Sequence, residues 1–172
     1  SKLQEFGLNP ETAMTLFIPN TYEVFWNVST EKLIKRMKKE NDEFWNANRI
    51  QKAKQINLTK EQVYTLASIV EKESNNEKER PTIAGVYLNR LRIGDKLRAD
   101  PTVVFAIGDF ELRRVLFEHL NFDSPYNTYM YAGLPPGPIY MPSKNSIDAV
   151  LNYEKHEYLF FCAKPGYDSE HS

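Results

Sequence analysis

The chain has 172 residues, 41% of them apolar and 26% charged, with a formal net charge of −1, which suits a soluble globular domain with a real core. This balance gives no electrostatic case for a nucleic-acid partner, and the longest apolar runs, such as Tyr158–Ala163, are far too short to cross a bilayer. A lone Cys162 leaves no internal disulfide to form, and His119, His156 and His171 lie too far apart to suggest a metal site.

Residues 14–28 are rich in Phe, Tyr, Val and Ile and are interrupted by Pro19-Asn20; they read as short extended pieces with a turn. Residues 30–55 are polar and charged, with Leu33, Met37, Phe44 and Asn48 near helical spacing, and predict one amphipathic helix. Its run of Lys35, Arg36, Lys38 and Lys39 reads as a solvated face. The next helix is the best marked. Thr59 is an N-cap with Gln62 three residues on, a capping box, and Leu58 and Val63 flank it as a hydrophobic staple. Val63, Leu66, Ala67 and Val70 then form one apolar stripe. A third helix opens near Pro81 and stops at Gly94, with Ile83, Val86, Tyr87 and Leu91 as its buried face.

Residues 95–142 hold six of the ten prolines and short apolar pieces such as Thr102–Ile107. They predict small strands and ordered loops, with a short helix around Leu112–Leu120. A last helix is expected from Ser143 to Tyr153, and Tyr158–Lys164 reads as a buried strand. The expected fold is α+β: one domain over 1–172, with helices packed on a small mixed or antiparallel sheet and long ordered loops lining a cleft. No repeat or low-complexity segment is visible.

Four clusters could carry chemistry. Leu66–Ser74 reads LASIVEKES and places Glu71 and Glu73 at the end of an apolar helix. Residues two apart on a helix point about 200° from each other. The two carboxylates therefore fall on opposite borders of the stripe and cannot share a proton; periodicity does not say which one faces a cleft. A partly buried helical Glu suits general acid chemistry, because burial disfavours the anion and raises the pKa. The plainer alternative is a surface Glu paired with Lys72 or Lys78. Asp100-Pro101-Thr102 is the second cluster; proline pushes the preceding Asp away from helix, into a fixed extended or turn geometry. The third is Tyr126-Asn127-Thr128-Tyr129 followed by Gly133-Leu134-Pro135-Pro136-Gly137-Pro138. It offers ring faces, hydrogen-bonding groups and a stiff wall, or a structural loop. The fourth is Asn89-Arg90-Leu91-Arg92, where arginine either complements a helix C-terminus or grips a ligand carboxylate.

Taken together and in this order, LASIVEKES (66–74), AGVYLNRLRIGDKLRADPTVVFAIG (84–108), SPYNTYMYAGLPPGPI (124–139), SIDAV…YLFFCAK (146–164) and FIPNTYEVFW (17–26) resemble the endolytic lytic transglycosylases of the MltG, or YceG-like, type. The resemblance implies that Glu73, the second Glu of Glu71-Lys72-Glu73, is the catalytic acid/base, with Glu71 and Ser68 in support. It implies cleavage of peptidoglycan glycan strands between N-acetylmuramic acid and N-acetylglucosamine, leaving a 1,6-anhydro end. No cofactor or metal is called for. Substrate contacts are expected from Asn89, Arg90, Asp100, Tyr126, Asn127, Thr128, Tyr129, Leu134 and Pro135.

Members of that family usually carry a cytoplasmic segment, one membrane helix and a LysM-like region ahead of this domain, so the chain is expected to be a part clipped at both ends. The whole protein is expected at the cytoplasmic membrane with this domain on its outer side, possible partners being cell-wall synthases. Ile139-Tyr140-Met141-Pro142-Ser143 departs from the Asn-Pro-Gly frequent in relatives. Rival readings are a glycan hydrolase using Glu73 and Asp100, a non-catalytic peptidoglycan-binding module, and a pyridoxal-phosphate lyase. The last lacks support: seven scattered glycines make no phosphate loop.

Overall fold

The computed structural model describes residues 4, 7, 9–21, 27–112 and 114–162. Among these residues there are helices and ordered loops and no strand. The one helix expected over 30–55 is two, α1 (Thr30–Phe44) and α2 (Ala47–Gln55). Trp45 leaves helical geometry at ψ 56, and the Asn46 side chain accepts the Arg49 N–H to start a new helix. Met37 and Phe44 are buried, but Asn48 is exposed. Asn41 is buried in its place, its amide donating to the Thr15 and Leu16 carbonyls. The basic run on α1 pairs with that helix's own acids one turn on, Lys35 with Glu31, Arg36 with Glu40, Lys38 with Asp42 and Lys39 with Glu43. Such pairs solvate a face and add little to stability.

α3 (Lys60–Glu73), α4 (Arg80–Arg92), α5 (Asp100–Ile107) and α6 (Lys144–Leu151) complete the core. α3 is the hub and packs against α2, α4, α5 and α6. Its start is the predicted capping box: Gln62 N–H donates to Thr59 Oγ1 at 3.2 Å, and Thr59 N–H donates to Gln62 Oε1 at 2.9 Å. A one-sided stripe was expected, yet Tyr64 and Ile69 are as fully enclosed as Val63, Leu66, Ala67 and Val70. A helix surrounded by others buries every face. α4 carries Pro81 in its first turn and lets the chain cross it at Gly85, where a Cβ would meet the Glu154 carbonyl at 2.5 Å.

The expected sheet is overturned, and with it the α+β class for the described residues. Thr102–Ile107 is the body of α5 rather than a strand; a short apolar run does not separate a strand from a buried helix. Asp100 was expected outside any helix, yet it opens α5 with Pro101 behind it, in the first turn where a proline ring meets no preceding carbonyl. The helix expected over Leu112–Leu120 shrinks to one 3₁₀ turn, His119–Asn121; Leu116 and Phe117 stand exposed, so no apolar face is buried to hold a longer helix.

Along the predicted strand Tyr158–Lys164, Tyr158, Phe160, Phe161 and Cys162 are exposed and no strand lies beside them. Side chains, not a ladder, take its carbonyls: Asn89 donates to His156 and Tyr158, and Arg90 to Leu159. Ala163 and Lys164 lie outside the described residues. Of the extended pieces expected over 14–28, Met14–Leu16 belong to a 3₁₀ turn, Ala13–Leu16, and 22–26 are also outside the described residues. No described helix is long and apolar enough to cross a membrane. Among the described residues no group of three or more His, Cys, Asp or Glu is placed to hold a metal.

Candidate active site

α3 ends at Glu73 with Ser74 as its cap, and its last turn aims the two glutamates in opposite directions. Glu71 turns toward α6. The Ser143 N–H and Oγ–H both donate to Glu71 Oε2, at 2.6 and 2.8 Å, so this carboxylate sits on the N-terminus of α6. Burial works against the Glu71 anion. Hydrogen bonds from Ser146 and Ser143 and the Arg80 charge outweigh that penalty and hold its pKa below the usual 4.5. An anion at a helix N-terminus, given several donors, stays ionised.

Glu73 turns the other way, into a cleft of about 430 Å³ that it lines with Lys72, Asp100, Val104, Phe105, Ile139 and Arg114 among others. One described side-chain donor reaches it, the Tyr87 hydroxyl at 2.7 Å from Oε1. Burial pushes its pKa up to about 7; the Tyr87 hydrogen bond opposes that rise, the Asp100 charge adds to it, and Arg90 opposes it more weakly. A carboxylic acid poised there can give and take a proton near neutral pH. Neither glutamate forms an ion pair with Lys72 or Lys78 in the described structure; the Lys72 ammonium instead lies 3.9 Å from the centre of the Tyr140 ring.

Asp100 faces the same cleft and accepts a hydrogen bond of 2.5 Å from the Tyr129 hydroxyl. The segment around Tyr129 is built to hold that pair. Thr128 is buried; its Oγ1 accepts the Ala99 N–H at 3.0 Å and bonds Thr102 Oγ1 at 2.8 Å, which clamps the loop to the start of α5. Asn127 is fully enclosed and spends its amide on the Leu120 and Phe122 carbonyls, while its Oδ1 accepts the Tyr129 N–H. The Tyr126 ring packs at 4.8 Å on Phe105, a cleft residue. Of the expected sugar contacts in this loop, Tyr129 reaches the cleft pair, Tyr126 backs the wall, and Asn127 and Thr128 are internal.

The remaining candidates are spread further. Asn89 and Arg90 are buried, and Arg90 donates to the Leu97 and Leu159 carbonyls. Both tie α4 to the chain beside it, Arg90 doing so from the last turn of the helix. Ser68 is enclosed under the cleft wall; it donates to the Thr65 carbonyl and accepts the Ile139 N–H at 3.1 Å. Leu134 and Pro135 do not line the Glu73 cleft. They wall a separate cavity of about 520 Å³ over the first turns of α3, together with Glu61, Gln62, Thr65, Leu88 and Arg92. Tyr87 entered the sequence reading only as a core residue. The available signal was chemical: a buried tyrosine hydroxyl needs a partner. Phe105, Val104 and Arg114 carry no sequence mark that would have drawn them to the cleft.

A helical scaffold with one protonatable carboxylic acid set in a cleft is the class that this geometry defines. The chain belongs to the YceG-like family, which it matches over residues 2–172. It is 38% identical over 138 residues to an endolytic murein transglycosylase of Bacillus subtilis, covering 80% of this chain and 38% of that protein. It is 35% identical over 149 residues to the protein of the same name from Streptococcus pneumoniae, covering 84% of this chain and 27% of the relative. A yceG-like protein of known crystal structure from Listeria monocytogenes superposes with a TM-score of 0.71 at 37% identity, covering 84% of this chain and 46% of that one. The chain thus spans less than half the length of each of these relatives.

Proposed function

We propose that this domain carries the chemistry of an endolytic murein transglycosylase, with Glu73 as its one acid/base. Two things support the reading: the names of the relatives, and the Glu73 carboxyl in its cleft with a pKa of about 7. The second observation carries the mechanism. A glycan hydrolase needs two carboxyl groups, one to protonate the leaving oxygen and one to attack or to activate water. A transglycosylase needs one. Protonated Glu73 donates to the oxygen between N-acetylmuramic acid and N-acetylglucosamine, and the bond from C1 to that oxygen breaks. The muramic acid's own C6 hydroxyl attacks C1 and closes the 1,6-anhydro ring; its proton passes to the Glu73 anion, which restores the acid. Because the nucleophile is already tethered to the reacting ring, no second reactant has to be immobilised. The substrate N-acetyl group shares the positive charge at C1.

Asp100 in the same cleft favours one rival, hydrolysis with Asp100 activating water. Mass spectrometry of digested glycan strands separates the two, since the hydrolase product is one water heavier than the anhydro sugar. With Glu73→Gln, anhydro product falls by about 10²–10⁴-fold, the range that acid–base catalysis supplies. Near-normal anhydro product from that variant refutes the proposal. The placement at the outer face of the cytoplasmic membrane, and any work beside cell-wall synthases, belong to the same proposal and rest on the resemblance alone.

A further inference from the structure

The cleft explains why Glu73 can hold a proton, but not which of its two oxygens offers it. We propose that Tyr87 is a positioning residue that assigns the proton to Glu73 Oε2. This rests on the reading of Glu73 as the acid. The Tyr87 hydroxyl donates to Oε1 at 2.7 Å, and the two residues come from different helices, α4 and α3. Tyr87 is 1% exposed. Its ring is held edge-on by Phe161 at 5.8 Å, with the Arg90 guanidinium also 5.8 Å away. The donor therefore has no room to swing aside.

The chemistry of a carboxylic acid does the rest. Its carbonyl oxygen accepts hydrogen bonds well, and its hydroxyl oxygen accepts them poorly. A donor fixed on Oε1 makes Oε1 the carbonyl oxygen, so the proton sits on Oε2. Burial, with the Glu73 carboxyl beside it, raises the Tyr87 pKa well above 10.0, so the hydroxyl remains a donor throughout the working range. Oε2 gives its proton to the glycosidic oxygen, and the anion left behind keeps the Tyr87 hydrogen bond. Oε2 then takes the proton of the C6 hydroxyl, so the same oxygen serves both halves of the reaction. The other charged or titratable groups around Glu73 are Lys72 on its own helix, Arg90 on α4, Asp100 on α5, Tyr129 and Arg114. Arg90 is committed to backbone carbonyls and Tyr129 to Asp100, which leaves Tyr87 as the described side chain that touches the carboxyl.

The test is the pH profile of kcat/KM on purified glycan strands, measured with the intact protein. The wild type loses activity as pH rises through about 7, where Glu73 deprotonates. Tyr87→Phe keeps the ring but removes a donor that favours the anion, so this limb moves up by about one pH unit. Its plateau kcat falls about twofold with KM little changed, because the proton is now shared between two oxygens of which one is productive. Should Tyr87→Phe fold poorly, 3-fluorotyrosine at position 87 keeps the hydroxyl and makes it a stronger donor, and the limb moves down. A limb that stays put with both changes at Tyr87 overturns the inference while leaving the Glu73 assignment intact. Retained activity in Glu73→Gln brings down the assignment instead.

Discussion

Glu71 and Glu73 stand two residues apart on one helix and occupy opposite chemical worlds. On the α6 flank, Glu71 is surrounded by donors and held as an anion. On the cleft flank, Glu73 meets one hydroxyl, an apolar wall and the Asp100 charge, and its pKa rises to about 7. The same side chain is thereby an ionised acceptor on one side and a protonatable acid on the other. The difference lies in what the neighbouring elements bring: α6 presents its open N-terminus, whereas α4 and α5 present a phenol and a second carboxylate.

The largest effect should separate the two by activity. Glu73→Gln loses about 10²–10⁴-fold in anhydro-product formation, while Glu71→Gln, assayed at a temperature where it is folded, stays within a few-fold of wild type. Equal losses in both would break the comparison. Stability should sort them the opposite way. Glu71→Ala removes the acceptor of two Ser143 hydrogen bonds and costs about 1–2 kcal/mol, with partial exposure allowed for. Because the folded pKa of Glu71 lies below its ordinary value, its contribution is present above the ordinary carboxylate range and is lost as pH falls through the folded pKa. Denaturant titrations of wild type and variant should therefore converge in acid.

Glu73 has the reverse sign. Its folded pKa lies above the unfolded value of 4.5, so the folded state binds the extra proton between the two, and stability falls as pH rises from 4.5 to about 7. Glu73→Gln should raise the melting temperature by a few degrees at about pH 8 and hardly at all at about pH 5. A gain independent of pH would point to packing instead. The smallest effect is expected from Asp100→Asn. It removes a charge that raises the Glu73 pKa, so the alkaline limb of the pH–rate profile should move down by a fraction of a unit.

Much of α3 could be read from the sequence. Thr59 and Gln62 announced its start, the apolar stripe its burial, and helical geometry placed the glutamates on opposite borders. What periodicity withheld was the identity of the neighbours, since Ser143 lies 72 residues from Glu71 along the chain and Tyr87 lies 14 from Glu73. The expected sheet failed for a related reason. Thr102–Ile107 and Tyr158–Cys162 have strand-like composition, but composition does not supply a partner strand. One run closed into α5, and the other gave its carbonyls to Asn89 and Arg90. Leu134 and Pro135 looked like wall residues and are, but of a different cavity, because a stiff loop's sequence does not show which hollow it borders.

One helix turn carries an ionised glutamate and a protonatable one. Carboxyl-carbon NMR of Glu71 and Glu73, assigned with the two Gln variants and followed from acid to alkaline pH, tests it in a single sample. The expected midpoints are about 7 for Glu73 and below 4.5 for Glu71. Both groups titrating together near 4.5, or in the opposite order, would contradict this.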